Sequence, residues 1–486
     1  MWFMRVPGWM FIAGLAAVII ITGGLALLAF SVARQVAIDA GEAGIQFVSA
    51  DSLFRDIPTP TLPPTAAPPV IAHVTPGETP APADAAPLPT AALDPAADYT
   101  WDDPRRFTVL LLGIDQRKAV EEDGPFRSDT LMVISVDPVR KTAGVLSIPR
   151  DLWVKIPGFN PGRINTANAL GDGNAYPGGG PALAAEAVRQ TLGITIDKYV
   201  RINFDVFTTV VETLAPDGVE ICVKEVIDDP YYPDAGYGFI HVHFDPGCQI
   251  LNTEQLLQYA RTRHTEGSDF DRARRQQEVL KAMQQKVLSV GGITNFIGQA
   301  PALWEELSGS FVTNLSLDEI ISLGTLVTEI PRENIQFGVI DNLYVDLATT
   351  NTGDQVLIPK TGAIRFLIQQ VFNPQNDLSL SDLKTRAEAE KASIVVFNNT
   401  DVAGLAGLTR DWLAGRGVSI EQIGNTPQPT NGDTIIQVYT GKIYTGKYLA
   451  ALMGIPADRV QPGADGLTNA DIAILVGPDL QPKLSQ

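Results

Sequence analysis

The sequence predicts an α/β chain, with two globular domains carried behind an apolar N-terminal helix. Three features lead to this reading. Trp9–Phe30, "WMFIAGLAAVIIITGGLALLAF", carries no charge. Ile57–Ala96 is built almost entirely from Pro, Ala and Thr and offers little with which to bury a core. From Trp101 onward, short apolar runs of strand length alternate with amphipathic helical stretches, the pattern of sheets covered by helices.

The apolar run comes first. At about 1.5 Å per residue it spans roughly 30 Å, one bilayer core. A cleaved signal peptide would have a shorter apolar region of about 7–15 residues and a small-residue cleavage site after it. Residues 1–34 are therefore expected to form a cytoplasmic tip and a transmembrane anchor. Arg5 and the amino terminus precede the span, and Arg34, soon opposed by Asp39 and Glu42, comes after it. That bias orients the N-terminus to the cytoplasm and makes the protein a single-pass protein of the cell membrane, with the bulk of the chain extracytoplasmic. Residues 35–100 read as a Pro/Ala/Thr-rich linker of polyproline II character. Its Pro-rich stretch Ile57–Ala96, at about 3.1 Å per residue, would extend at most roughly 120 Å.

The first domain is expected over 101–380, with its core at 107–290. "FTVLLLG", "DTLMVISV" and "AGVLSI" read as strands, and "DPVRKT" joins the last two as a hairpin. "GPALAAEAVRQTLG" reads as a helix ending at Gly193, while "INFDVFTTVVETLA" mixes strand and helix signals. "NTEQLLQYAR" reads as a helix opened by Asn252, with Gln255 as its capping partner. "RARRQQEVLKAMQQKVLSV" is a longer amphipathic helix with Val279, Leu280, Met283, Val287 and Val290 near one face. Ile293–Leu380 carries no chemical motif and reads as an extension. Residues 381–391 are polar and read as a second linker. Residues 392–480 alternate strand, helix and strand as a small α/β domain.

Cys222 and Cys248 are the chain's two cysteines. In an oxidising compartment they could close a loop worth about 3–4 kcal/mol; two buried free thiols are the alternative. Neither has the CxxC spacing of a redox or zinc motif.

The chain has 36 basic and 55 acidic residues, a net charge of -19. Such a balance argues against direct nucleic-acid contact, which recruits an excess of Lys and Arg. Against it stands "YARTRHTEGSDFDRARRQQEVL", which gathers Arg261, Arg263, Arg272, Arg274 and Arg275. Three of them fall where a helix starts and oppose its macrodipole by roughly 0.3–1 kcal/mol each. Asp269 and Asp271 offset part of that, and a bound anion would complete the balance. Arg261 and Arg263, two apart, would face the same way in an extended segment and suit a pyrophosphate. The alternative is a solvated basic face paired with acidic neighbours.

Three predicted strand ends also carry charge: Asp115 and Arg117 after the first, Arg127 and Asp129 before the second, Arg150 and Asp151 after the third. A lone Asp at such an end is usually a turn residue, but three ends each pairing Asp with Arg form a constellation. The carboxylates suit a hard divalent ion and the arginines a diphosphate, the division of labour phosphoryl transfer needs. The chain has no Gly-rich Walker-type loop for ATP or GTP.

"GIDQR", "RSDTLMVISVDP", "LSIPRDLWV", "RINTANA" and "LQYARTRHTEGSDFDRARRQQEVL" together resemble the LytR-CpsA-Psr family of cell-envelope proteins. "VVFNNTDVAGLAGLTRDWLAGRG" and "GNTPQPTNGDTIIQVYTG" resemble the LytR C-terminal domain. The resemblance implies an αβα sandwich around a mixed, largely antiparallel sheet. It implies transfer of a glycopolymer phosphate from a polyprenyl-pyrophosphate lipid to a peptidoglycan sugar hydroxyl, with pyrophosphatase action as a side activity. By motif position Asp115 and Asp129 would hold Mg²⁺ or Mn²⁺. Arg150, Arg261, Arg263, Arg272 and Gln276 would contact the pyrophosphate, with Arg127, Arg275 and Asn165 as further contacts. Asp269, Arg150 and Arg263 would be catalytic. The family usually has Gly where this chain has Asp271, a departure that bears on the placement of Arg272. The lipid tail requires an apolar pocket, whose lining no motif marks. A non-catalytic lipid-pyrophosphate scaffold, or an indirect transcriptional attenuator, is the rival reading. Asp115 and Asp129 favour the enzyme.

Two further stretches stand out. His241 and His243 alternate in "FIHVHF" and would share a strand face; with no third ligand at motif spacing they read as surface histidines. "DDPYYPDAGYG", Asp228 to Gly238, reads as a surface loop, its functional alternative being the rim of an acceptor glycan site.

Overall fold

The computed structural model describes residues 106–116, 124–234, 238–288, 292–307, 309–372 and 378–484. The expected anchor, the Pro/Ala/Thr-rich linker, Arg117 and Val290 lie outside these residues. Among the described residues no helix is long and apolar enough to cross a membrane.

In chain order the elements begin with β1 (Phe107–Ile114), β2 (Ser128–Asp137), β3 (Thr142–Ile148), β4 (Trp153–Val154) and β5 (Gly162–Arg163). Then come α1 (Thr166–Gly173), α2 (Gly179–Leu192), β6 (Lys198–Ile202), α3 (Phe204–Leu214), β7 (Val219–Val223), β8 (Ile227–Pro233), β9 (Phe239–Phe244) and β10 (Gly247–Leu251). They are followed by α4 (Thr253–Arg261), α5 (Ser268–Val287), α6 (Gly292–Leu307), β11 (Val312–Thr313), α7 (Leu317–Thr328), β12 (Ile335–Val339), β13 (Val345–Thr349), β14 (Gln355–Pro359) and α8 (Thr361–Phe372). The C-terminal part holds α9 (Leu380–Glu390), β15 (Ile394–Asn398), α10 (Leu405–Ala414), β16 (Gln422–Asn425), β17 (Ile435–Val438), α11 (Ile443–Met453), β18 (Val460–Pro462), β19 (Ile472–Val476) and α12 (Gln481–Leu484).

The fold is mixed α/β. A six-stranded sheet runs β11-β6-β1-β2-β3-β12. β6 and β12 lie parallel to β1 and β3, and the other pairings are antiparallel. The β2–β3 hairpin forms as expected, its turn held by Asp137 Oδ1, which accepts from the backbone N–H of Val139 and Arg140. Period-two alternation along β2 divides the sheet's faces. Leu131 and Val133 enter a core with Leu183, Ala187 and Val188 of α2 and Ile364 and Ile368 of α8. Met132, Ile134 and Val136 face the other way, toward α3, α5 and α7. Gln277 pins α5 to the sheet by donating to Ser147 Oγ and the Gly338 carbonyl, at 2.8 and 2.7 Å. α4 carries the expected capping box between Asn252 and Gln255.

β7 and β10 pair antiparallel, with Cys222 opposite Cys248 and a disulfide joining them. β8 and β9 form a second ribbon, so "DDPYYP" is strand rather than the loop expected. The register shifts between Asp229 and Tyr232, accommodating Pro230 in the ribbon.

The C-terminal sheet runs β16-β15-β19-β17-β18 over its own core. The polar stretch 381–391, expected as a linker, is instead the helix α9. Ser379 caps it, and Leu383 and Ala387 are buried in the C-terminal core, a four-residue spacing the polar composition disguised. α8 serves both cores: Ile364 and Ile368 face the first, Phe366 the second. At its start, a Cβ on Gly362 would collide with the Tyr439 carbonyl, so only glycine allows this approach.

Candidate functional site

Antiparallel pairing brings three strand ends to one sheet edge: the end of β1, the start of β2 and the end of β3. Asp115, Asp129 and Arg150 therefore gather there although they are spread along the chain. Gly113 lies opposite Thr130, and a Cβ on it would come within 3.0 Å of Thr130 Cβ, so the close approach of β1 and β2 two residues before Asp115 favours glycine.

The arginine-rich segment turns back over this edge. α4 ends at Arg261 and α5 begins at Ser268. Buried Arg275 ties down the turn between them, donating to the carbonyls of Tyr259 (3.0 Å) and Thr262 and to Thr265 Oγ1 (3.4 Å). From the other side, Thr262 Oγ1 donates to buried Asp229 at 2.6 Å. Asp271 accepts from the Gly267 N–H at 2.8 Å and from Arg274 at 2.9 Å. The departure from glycine at 271 thus closes the turn with a carboxylate. The left-handed residue there is Ser268, φ 46°, and Arg272 keeps its place facing the sheet edge.

The charged groups form one network. Asp129 accepts from Arg150 Nη1 and Arg263 Nη2, both at 3.1 Å. Asp269 lies 3.5 Å from Arg150, 3.3 Å from Arg263 and 3.1 Å from Arg272. Its Oδ1 is buried, yet it accepts no hydrogen bond. Arg272 donates to the Asp129 carbonyl at 3.1 Å. Arg261 lies 3.6 Å from Asp115, donates to Tyr232 Oη at 3.0 Å and stacks 3.9 Å above the Phe204 ring. Arg261 and Arg263 therefore address different carboxylates. The expected parallel pair does not form because Arg261 closes a helix and the segment is not extended.

Burial opposes the charge on Asp129, but Arg150, Arg263 and Arg272 outweigh it and hold the carboxyl below its ordinary range. Arg272 is pulled down to about 10, by burial first and then by Arg263, against the attraction of Asp269. A cation held under these conditions invites a further anion.

Two cavities meet here. An apolar one of about 500 Å³ runs between the sheet and α3, α4, α5 and α7. The polar one, about 410 Å³, is lined by Asp115, Asp129, Arg261, Arg263, Arg272 and His264 among others. Thr130, Phe204, Arg261 and Gln276 line both and mark the junction. Gln276 Nε2 donates to Thr130 Oγ1 there at 3.0 Å.

Of the residues singled out from sequence, Asp115, Asp129, Arg261, Arg263, Arg272 and Gln276 line the polar cavity or its junction. Arg150 and Asp269 stand behind it through their ion pairs with Asp129 and Arg263. Three others do not line either cavity. Arg127 is exposed. Arg275 has its guanidinium spent on backbone carbonyls. Asn165 is buried, its backbone N–H donating to the Arg150 carbonyl and its carbonyl accepting from the Ser128 N–H. Sequence reasoning did not single out Thr130 or Phe204, and it weighed Asp229 and Tyr232 only within the stretch Asp228 to Gly238, which lines the polar cavity through Asp229, Tyr231, Tyr232 and Pro233; the alternation of β2 was the available signal for the apolar cavity.

A polar, arginine-lined cavity thus opens beside an apolar one, an arrangement that suits a ligand with an anionic end and an apolar end. The chain belongs to the LytR_cpsA_psr family, whose model matches residues 86–364. A second model, described as LytR cell envelope-related transcriptional attenuator, matches residues 391–480. Among its relatives is the polyisoprenyl-teichoic acid–peptidoglycan teichoic acid transferase TagT of Bacillus subtilis, 35% identical over 234 residues, 47% of this chain and 67% of TagT. The regulatory protein MsrR of Staphylococcus aureus is 28% identical over 257 residues, 52% of this chain and 71% of MsrR. The crystal structure of B. subtilis TagV aligns with a TM-score of 0.44 at 25% identity, covering 56% of this chain and 99% of that one.

Proposed function

We propose that this protein is a phosphotransferase that moves a glycopolymer phosphate from a polyprenyl-pyrophosphate carrier to a peptidoglycan hydroxyl, outside the membrane that its N-terminal helix spans. The observation that carries the reading is the continuity of the two cavities through Arg261 and Gln276. A carrier lipid needs apolar and cationic surface in that order. The names of TagT and TagV agree with it.

The polyprenyl tail lies in the tunnel, whose volume falls in the usual range for ligand pockets of roughly 300–1,000 Å³. Arg261, Arg263 and Arg272 receive the pyrophosphate, releasing part of their hold on Asp115, Asp129 and Asp269. An acceptor hydroxyl attacks the phosphorus bonded to the sugar. The bond from that phosphorus to the bridging oxygen breaks, the lipid monophosphate leaves with the bond's electrons, and the hydroxyl proton passes to a carboxylate. Asp129, held below the ordinary carboxylate range, is a poor proton acceptor and suits a cation instead; Asp269 keeps the catalytic role that the family resemblance gives it.

The residues present fit Mg²⁺ or Mn²⁺. Asp115 and Asp129 line one polar cavity and offer hard oxygen donors. Arg150, Arg261, Arg263 and Arg272 against Asp115, Asp129, Asp151 and Asp269 leave no net positive charge in the network. A doubly anionic pyrophosphate would make it negative, and a divalent cation on Asp115 and Asp129 would neutralise the excess.

The test incubates the full chain with a polyprenyl-pyrophosphate sugar, Mg²⁺ and a peptidoglycan oligomer. Mass spectrometry of the acceptor should show an added glycan phosphate, absent with Asp129→Ala or Arg263→Ala. Tight lipid binding without product across several donors and acceptors would favour a scaffold instead.

A further inference from the structure

The geometry points to a surface site for a zinc-class divalent cation on the β8–β9 ribbon, formed by Asp228, His241 and His243. It is separate from the arginine cluster and does not depend on the proposed transfer reaction.

Alternation puts His241 and His243 on one face of β9, and the register places Asp228 of β8 directly opposite His243. The neighbouring pair, Asp229 and Val242, is buried on the opposite face, so register slippage is opposed by the core. The third ligand that sequence spacing did not supply thus comes from across the ribbon. One donor atom from each residue lies within 4.8 Å of the others. Asp228 Oδ1 is 2.6 Å from His241 Nε2 and 2.9 Å from His243 Nδ1. Tetrahedral zinc holds N and O donors at about 2.0–2.2 Å, hence roughly 3.3 Å apart. Small rotations of exposed side chains open the cluster to that size.

A second observation concerns the far side of the His243 ring. Its Nε2 is 3.3 Å from Asp245 Oδ1. With an ion on Nδ1, the atom facing Asp228, that carboxylate would accept from Nε2–H and hold the ring in place. Metal-binding histidines commonly have such an outer partner. Two imidazoles and one carboxylate match borderline-soft ions such as Zn²⁺ rather than Mg²⁺, and three protein ligands leave a fourth position open. The bound ion would clamp the ribbon whose buried side holds Asp229 against Thr262 and whose Tyr232 receives Arg261.

The test uses the tag-free full chain, stripped with chelator and kept in excess Mg²⁺ so that the catalytic carboxylates do not contribute. Titration with Co²⁺ should give visible bands of a four-coordinate ion, saturating at one per chain and displaced by Zn²⁺. His241→Ala, His243→Ala and Asp228→Asn should each weaken Zn²⁺ binding at least tenfold, and Asp245→Asn roughly tenfold. All four residues are exposed, and circular dichroism checks the fold of each variant. Failure to saturate at one ion per chain, or Zn²⁺ binding unchanged in the His241→Ala/His243→Ala double variant, would overturn the assignment.

Discussion

Arg263 donates to Asp129 Oδ2 at 3.1 Å across 134 positions of sequence. This bond ties the turn after α4 to the start of β2 and closes the polar cavity over the sheet edge. Its strength is conditional, because a ligand that takes the guanidinium must displace the carboxylate. The same exchange recurs at Arg261 with Asp115 and at Arg272 with Asp269. On the proposed function, aspartates hold the arginines in position for an anion to which they would yield.

Asp129 should make stability depend on acid. Its folded pKa lies below the ordinary carboxylate value of roughly 4, so the folded state favours the charged form. The contribution is present above the unfolded pKa and is lost as pH falls through the folded one. Asp129→Asn should therefore lower the denaturation midpoint near neutral pH. The gap from wild type should close below about pH 4, as measured by urea unfolding over a pH series. A gap that stays constant with pH would show that the ion pairs with Arg150 and Arg263 contribute nothing.

Arg275 should prove structural. It is buried, and its guanidinium satisfies the carbonyls of Tyr259 and Thr262. Arg275→Met leaves both without that donor, at about 1–3 kcal/mol for each. The expected loss is roughly 3 kcal/mol in chemical denaturation, with the turn that carries Arg263 loosened as well. A variant of unchanged stability but abolished lipid binding would instead return Arg275 to the ligand.

These two residues show where sequence reasoning reaches. The charged half of the site was legible because Asp115, Asp129 and the arginine segment carry residue types that need a reason in an acidic chain. Separating Arg272, which faces the cavity, from Arg275, which faces the backbone, needed the helix phase at its first turn. The pairing of Arg261 with Asp115 needed the end of α4, since in an extended chain Arg261 and Arg263 would have pointed together. The tunnel was hidden because Ile134 and Val279 look like core residues, and a residue lining a cavity differs only in what stands opposite. α9 was hidden by composition: Leu383 and Ala387 are its buried contacts in an otherwise polar run. Asp228 and the two histidines needed the strand register, which local spacing does not contain.

The tunnel can be tested apart from the head site. Ile134 lines the apolar cavity away from the arginines. Ile134→Trp should fill part of it, at an overpacking cost of about 1–3 kcal/mol. Binding of a long polyprenyl pyrophosphate should weaken tenfold or more, roughly 1.4 kcal/mol. A short-chain pyrophosphate should bind as to wild type. Equal weakening of both would mean that the tail does not enter between the sheet and α5.

Arg272 offers the converse experiment. Only 5% of it is exposed, and its pKa of about 10 reports the cost of holding a cation there beside Arg263 and Arg150. Removing one partner of a buried ion pair is ordinarily destabilising, but here the partner Asp269 stays paired and the cation removed is one that burial and two neighbouring arginines oppose. Methionine matches the length of the stem and removes the repulsion, while Asp269 keeps Arg150 and Arg263 as partners. Arg272→Met should therefore melt at or above the wild-type temperature in the absence of ligand. Pyrophosphate-lipid affinity should fall tenfold or more, and the stabilisation that added lipid gives wild type should shrink with it. Calorimetry with and without lipid reads both. A variant that melts lower and binds equally well would make Arg272 part of the scaffold, and the anion would then belong to Arg261 and Arg263 alone.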